Sequence, residues 1–247
     1  MWLLWLLVKA SCVSEIRRTA VRALWQQALL PVIVVGFFTF LQPEVTHHGG
    51  WPMIAIAGAV WLLFANSVRQ GGMVLWHERW LLRDGSVPPG SLVAASTVVP
   101  IILFLVHVSL VHAVLWAGPA PADGLSAYLL PAGGIALGAG VGVGILSARL
   151  SSLRPAFASA VPKLLVLSLV LTPVLYRASS LGSLGPAWCA ANPLCAATEL
   201  ARAAISMRAS PPPMATVLIA GVLSLGLLCC GLLALRLPAS ALAELHE

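Results

Sequence analysis

The sequence predicts an all-α integral membrane protein with six transmembrane helices, an N-terminal interfacial amphipathic helix, and re-entrant outer helices between the fifth and sixth spans. Three observations carry that expectation. Of 247 residues, 60% are hydrophobic and only 9% charged, and the mean hydropathy is +0.96, so there is too little polar surface to coat a soluble globule. Several apolar runs reach about 20 residues, the length that crosses a hydrocarbon core of about 30 Å as a helix. The basic residues, finally, gather at one set of run ends.

The apolar runs are 24–41, 51–68, 92–116, 125–146, 157–176 and 214–235. The fifth contains Lys163, which can snorkel if it lies near a span end. With Met1 inside, one side holds Lys9, Arg17, Arg18, Arg22, Arg69, Arg79, Arg83, Arg149, Arg154, Lys163 and Arg236, which is eleven of fourteen Lys and Arg. The other three, Arg177, Arg202 and Arg208, fall in the connection between runs five and six. Basic side chains resist translocation, so both termini are expected in the cytoplasm. The pI of 9.6 then reflects topology and implies no nucleic-acid partner.

Before the first run, "MWLLWLLVKASC" lacks a basic n-region, and Lys9 interrupts it ahead of Cys12. It reads as uncleaved. The following "VSEIRRTAVRALWQQALLP" sets Ile16, Ala20, Ala23 and Leu24 on one face and Arg17, Arg18 and Arg22 towards the other. That is an interfacial helix, with Trp2, Trp5 and Trp25 suited to the headgroup zone. The chain therefore reads as a single membrane domain, 1–247. Its parts are an amphipathic segment 1–23, spans one to five over 24–176, an outer segment 177–211, and the last span with a cytoplasmic tail over 212–247.

The fourth run carries Gly134, Gly138 and Gly142 at four-residue spacing, joined by Gly140 and Gly144. Small residues at that period let helix backbones approach closely, and helix packing is the expected role. A sliding surface in a moving transporter is the alternative.

Between runs five and six lie nearly forty residues, more than a helical hairpin needs. "SSLGSLGPAWCAANPLCAATELARAAI" is nonetheless too apolar for a solvated loop. Two short helices broken near Asn192 and Pro193 are expected, with Asn192 as cap and Pro193 at the first helical position. Backbone broken at membrane depth survives only against protein or a watery cavity. Glu199 and Arg202, three residues apart, can pair on one face. Either they satisfy each other, or they shape the outer mouth of a pathway. Cys189 and Cys195 flank the break; the favoured reading is two small apolar residues packed in the segment, with an extracytoplasmic disulfide as the alternative.

Other chemistry is thin. No G-x-x-x-x-G-K-[ST] phosphate loop occurs, so ATP-driven work requires a partner. "HERWL" at 77–81 begins like H-E-x-x-H, but position 81 is leucine. His107 and His112 are about 140° apart on a helix, and no carboxylate or cysteine cluster accompanies them, so no metal is expected. The two aspartates, Asp84 and Asp123, lie outside the runs, and no catalytic constellation is expected.

"TPVLYRASSLGSLGPAWCAANPLCAATELARAAI" (172–205) resembles the C-terminal signature of ABC-2 type permeases that export capsular polysaccharide, O-antigen or teichoic acid. In that pattern a [ST]-P-x-x-[YF] closes span five, an N-P-L follows a tryptophan, and an arginine comes about ten residues after the asparagine. Thr172, Pro173, Tyr176, Trp188, Asn192, Pro193, Leu194, Glu199 and Arg202 match it. "SEIRRTAVRALWQQALLP" is similar to the family's N-terminal amphipathic helix, and "GGMVLWHERWLLRDGSVPPGSL" occupies the place of its cytoplasmic segment between spans two and three. "NPLCAATELAR" looks closest to the capsule branch.

The resemblance implies a homodimeric permease in the bacterial inner membrane, working with two ABC ATPase subunits that hold ATP and Mg. It implies no cofactor in this chain, a lipid-linked glycan as substrate, and a link to periplasmic or outer-membrane export components. By the same resemblance Glu78, Arg79, Arg83 and Pro88 would couple to the ATPases. Arg17, Arg18, Arg22 and Trp25 would meet the arriving substrate, and Pro173, Tyr176, Trp188, Asn192, Pro193, Glu199 and Arg202 would form the outer gate. The rival readings are an ABC-2 permease for a drug, a haem-linked substrate or another lipid, and a non-transporting membrane scaffold.

Overall fold

The computed structural model describes residues 50–77, 88–116, 127–153, 156–205 and 210–236. The amphipathic segment 1–23 and the first apolar run, with Arg17, Arg18, Arg22 and Trp25, lie outside the described residues, as do Glu78, Arg79 and Arg83. The regular structure is all helical, with no strand among the described residues. Its helices are α1 (Gly50–His77), α2 (Pro89–Trp116), α3 (Leu129–Leu153), α4 (Ala156–Leu171), α5 (Leu184–Ala191), α6 (Pro193–Ile205) and α7 (Met214–Arg236), with a 3-10 turn at Ala178–Leu181.

Four of these are long and apolar enough to cross a membrane: α1, α2, α3 and α7. The last of them matches the expected run 214–235, while two others differ from the sequence reading. The second expected span, 51–68, is part of a helix running on to His77, and the fourth begins at Leu129 rather than at 125. Pro131 falls in the first turn of α3, where its missing N–H removes no helical hydrogen bond.

The largest correction concerns the fifth span. Its expected extent, 157–176, overshoots: α4 stops at Leu171 after 16 residues, a rise of about 24 Å, so the helix is shorter than a hydrocarbon core of about 30 Å. The reason is local. Pro173 disfavours helical backbone at Thr172, and the chain turns at once, with Val174 N–H donating to the Thr172 carbonyl at 2.7 Å. Pro173 and Tyr176 therefore lie in a turn beyond the helix.

The core is built around α3, which packs chiefly between α1 and α7. A Cβ on Gly140 would lie 2.7 Å from the Phe64 carbonyl of α1, and one on Gly144 would lie 2.7 Å from the Val68 carbonyl. On Gly138 it would meet Ser224 Oγ of α7 at 2.8 Å, and on Gly142 it would run into the backbone of Leu227. Positions two apart differ by about 200° on a helix, so these glycines open two opposite faces of α3 to two neighbours. Gly134, by contrast, faces open space. The four-residue glycine pattern is thus helix packing, although its first member takes no part. Ser224 Oγ adds a buried hydrogen bond to the Ile135 carbonyl at 2.7 Å, tying α7 to α3.

The α1, α3 and α7 helices run parallel: contacts advance together from Gly140 with Phe64 to Gly144 with Val68, and from Gly138 with Ser224 to Gly142 with Leu227. One end of the bundle therefore gathers their N-termini, and α5 and α6 pack there. The short α6 is the most enclosed element: Leu194, Cys195, Ala196, Ala197, Thr198, Leu200, Ala201, Arg202 and Ala204 are all buried. It lies against α1, α3 and α7. The outward faces of α2, α4 and α7 are rich in exposed Leu, Val and Ile. On a soluble protein such surface would be a liability, whereas on a membrane-spanning bundle it meets acyl chains.

Candidate functional site: a buried arginine hub at the helix break

Within this end of the bundle, α5 and α6 are one helical run interrupted at Asn192. Asn192 has extended backbone, φ −113° and ψ 104°. Its side-chain Oδ1 accepts from Leu194 N–H at 3.0 Å, while its carbonyl receives Cys195 N–H at 3.0 Å. That is an N-cap, followed by Pro193 at the first helical position, as the sequence predicts.

Residues on both sides of the break hold the end of α4. The Leu171 carbonyl, left without a helical donor by the turn at Pro173, accepts from Trp188 Nε1 at 2.9 Å and from Asn192 Nδ2 at 3.5 Å. Tyr176 Oη reaches back to the Val170 carbonyl at 3.3 Å. Trp188 and Asn192 thus do for the C-terminus of α4 what a C-cap would do.

Deeper in, Arg202 is 1% exposed. Its Nη1 donates to Glu199 Oε1 at 2.7 Å, its Nη2 to the Val174 carbonyl at 2.8 Å, and its Nε to the Met53 carbonyl at 3.3 Å. Glu199 Oε1 also accepts Ala178 N–H at 3.0 Å. One guanidinium fork therefore joins α6 to the first turn of α1 and to the chain after α4, and its carboxylate partner extends the join to the 3-10 turn. Glu199 is the one carboxylate among the described residues, so the buried charge has a single compensating partner there. Arginine suits the place because its rigid fork can address three acceptors at once.

Beside the hub, Thr172 Oγ1 is buried and has no hydrogen-bond partner among the described residues. Cys189 and Cys195, expected as two packed thiols, instead form a disulfide. The geometry decides between the two readings: across the break at Asn192 the two Cα atoms lie 4.8 Å apart, inside the range a disulfide spans. The bond sits with Ala178 in a small buried cluster covered by Trp188.

Of the residues assigned to an outer gate, the structure gathers Pro173, Trp188, Asn192, Pro193, Glu199 and Arg202 into this one junction, with Tyr176 at its margin. Pro88 lies elsewhere, exposed before the first turn of α2, where its carbonyl accepts Ser91 N–H at 3.0 Å. The backbone acceptors at Met53, Leu171 and Val174 escaped the sequence reading, because a carbonyl is present at every residue and only tertiary packing selects among them. No group of three or more metal-ligating side chains occurs among the described residues. His107 instead donates Nδ1–H to the Leu103 carbonyl of its own helix, at 2.7 Å. No protein-family model matches the chain, and no curated protein matches it.

Proposed function

We propose that this chain is the membrane-spanning permease subunit of an ATP-driven exporter that moves lipid-linked capsular or related polysaccharide across a bacterial inner membrane. In this reading it has six spans and cytoplasmic termini, acts as a homodimer, and is driven by two ABC ATPase subunits. The observation that supports it best is the junction: Trp188 and Asn192 hold the Leu171 carbonyl at the end of α4, and the buried Arg202 with Glu199 holds the chain that follows it, so positions carrying the resemblance, scattered over 172–202 in sequence, meet at one end of the bundle.

A membrane scaffold needs no broken helix pair inserted among its spans. An exporter does need an end structure that can hold a pathway shut and yield to force. The hub joins three separate stretches of chain: a rigid-body movement of α1 away from α6 would have to break the bond to Met53, and one of the chain after α4 the bond to Val174. In this reading α5 and α6 gate the outer exit, and the segment containing Glu78, Arg79 and Arg83 docks on the ATPase. Arg17, Arg18 and Arg22 meet the phosphates of the lipid-linked substrate.

The testing experiment is co-expression with the candidate ATPases of the same genome, followed by purification and ATPase assay with and without lipid-linked glycan. A two-plus-two complex whose ATPase rate rises with glycan is the expected result. A chain that binds none of them would overturn the reading.

A further inference from the structure

The disulfide at the helix break has a chemical requirement that the fold makes specific. Both sulfurs are enclosed: Cys189 is 3% and Cys195 0% exposed. Cys195 lies on α6, which is packed against α1, α3 and α7, and Trp188 covers the pair. Thiol–disulfide exchange needs a thiolate to approach a sulfur in line, so neither cysteine can react with a large partner once α6 is seated. The bond must therefore form earlier. A reducing cytoplasm does not supply the oxidising equivalents, and with the six spans of the proposed reading the 11-to-3 distribution of Lys and Arg puts this end on the other side.

We propose that Cys189 and Cys195 are the substrate of an extracytoplasmic thiol–disulfide oxidant, which joins them while 184–205 is still unpacked, and that folding then seals the bond. The thiolate of one cysteine attacks the oxidant's disulfide, giving a mixed disulfide and releasing one oxidant thiolate. The second cysteine's thiolate then attacks the mixed disulfide at this chain's sulfur. The Cys189–Cys195 bond forms, and the oxidant leaves as a dithiol carrying both electrons and, from the two cysteine thiols, both protons. This step depends on the compartment and the packing, and not on what the protein exports.

The test uses the full chain with Cys12→Ser, Cys229→Ser and Cys230→Ser, which leaves only the pair out of five cysteines. Cells are acid-quenched, and the denatured protein is treated with a polymer-linked maleimide that adds a visible mass for each thiol. Protein from ordinary bacterial cells should take up no tag before reduction and two after it. Protein made in a host lacking its extracytoplasmic dithiol oxidase should take up two at once. Membranes from ordinary cells treated with a small dithiol before quenching should still show none, because the folded bond is sealed. Two tags in ordinary cells, an intact bond in the host without the oxidase, or ready reduction in native membranes would each overturn the proposal.

Discussion

Arg202 shows how one side chain can decide the order of a whole end of the molecule. It is buried, bonded to two backbone carbonyls from distant stretches, and neutralised by a carboxylate one helical turn back. Removing one partner of a buried pair typically costs about 3–5 kcal/mol, because the other charge is stranded. Glu199→Ala leaves a buried cation, so it should match or exceed the loss from Arg202→Ala, whereas Glu199→Gln keeps an acceptor and should lose less. Thermal unfolding of the detergent-solubilised variants checks that ordering. Thr172 makes the opposite case: its buried hydroxyl has no partner among the described residues, so Thr172→Val, which preserves shape, should leave stability unchanged or raise it by about 1 kcal/mol. At this scale the sequence was half legible. The spacing of Glu199 and Arg202 announced their pairing, and Asn-Pro announced the cap. The carbonyls of Met53 and Val174 carried no such mark, since nothing in a residue's identity tells which acceptor a guanidinium will reach.

Among the elements, α3 and the α5–α6 pair depend on opposite devices, close approach in one and covalent restraint in the other. Gly140→Ala would place its Cβ against the Phe64 carbonyl of a rigid helix, and Gly142→Ala would meet the Leu227 backbone. Each is expected to destabilise by about 1–3 kcal/mol. Gly134→Ala meets nothing within 4 Å and should instead stabilise by about 0.5–1 kcal/mol through helix propensity. Circular-dichroism melts of the three variants would separate the two sides of this argument. The disulfide closes a short loop, with a sequence separation of 6, for which the chain-entropy model gives about 2 kcal/mol. Cys189→Ser with Cys195→Ser should lower the melting point accordingly while leaving Arg202 seated on α6. Among the described residues, element types followed from the apolar runs and the Asn-Pro break. The end of α4 did not, because the apolar run continues unbroken through Val174 and Leu175 and hides the turn that Pro173 imposes. The disulfide stood only as the alternative reading, because a break expected near Asn192 does not by itself say how far apart the two flanking cysteines lie, and only the folded turn sets their Cα atoms 4.8 Å apart.

For the molecule as a whole, what matters is which surface meets hydrocarbon. Burial falls unevenly among the four long helices: the apolar window of α1 is 67% buried and that of α7 only 17%. With α6 filling the space among α1, α3 and α7, the outward side of α7 is left as a continuous face of apolar side chains, Val222 at 70% and Leu225 at 60% exposed among them. Such a surface is stable only if acyl chains or another apolar surface lie against it. Depth then becomes a measurable property of each position. Leu225 stands near the middle of α7, whereas Met214, also 70% exposed, opens it. An arginine at the centre of a spanning helix costs about 2.5–3.5 kcal/mol on insertion scales, while one at the end can extend its charge into the headgroup zone. Leu225→Arg should therefore sharply reduce the fraction of protein that resists alkaline extraction from membranes, and Met214→Arg should leave it near the wild-type level. If the two variants were retained equally well, the depth assigned to α7 would be wrong, because both positions are open to the surroundings and only their distance from the membrane interface separates them.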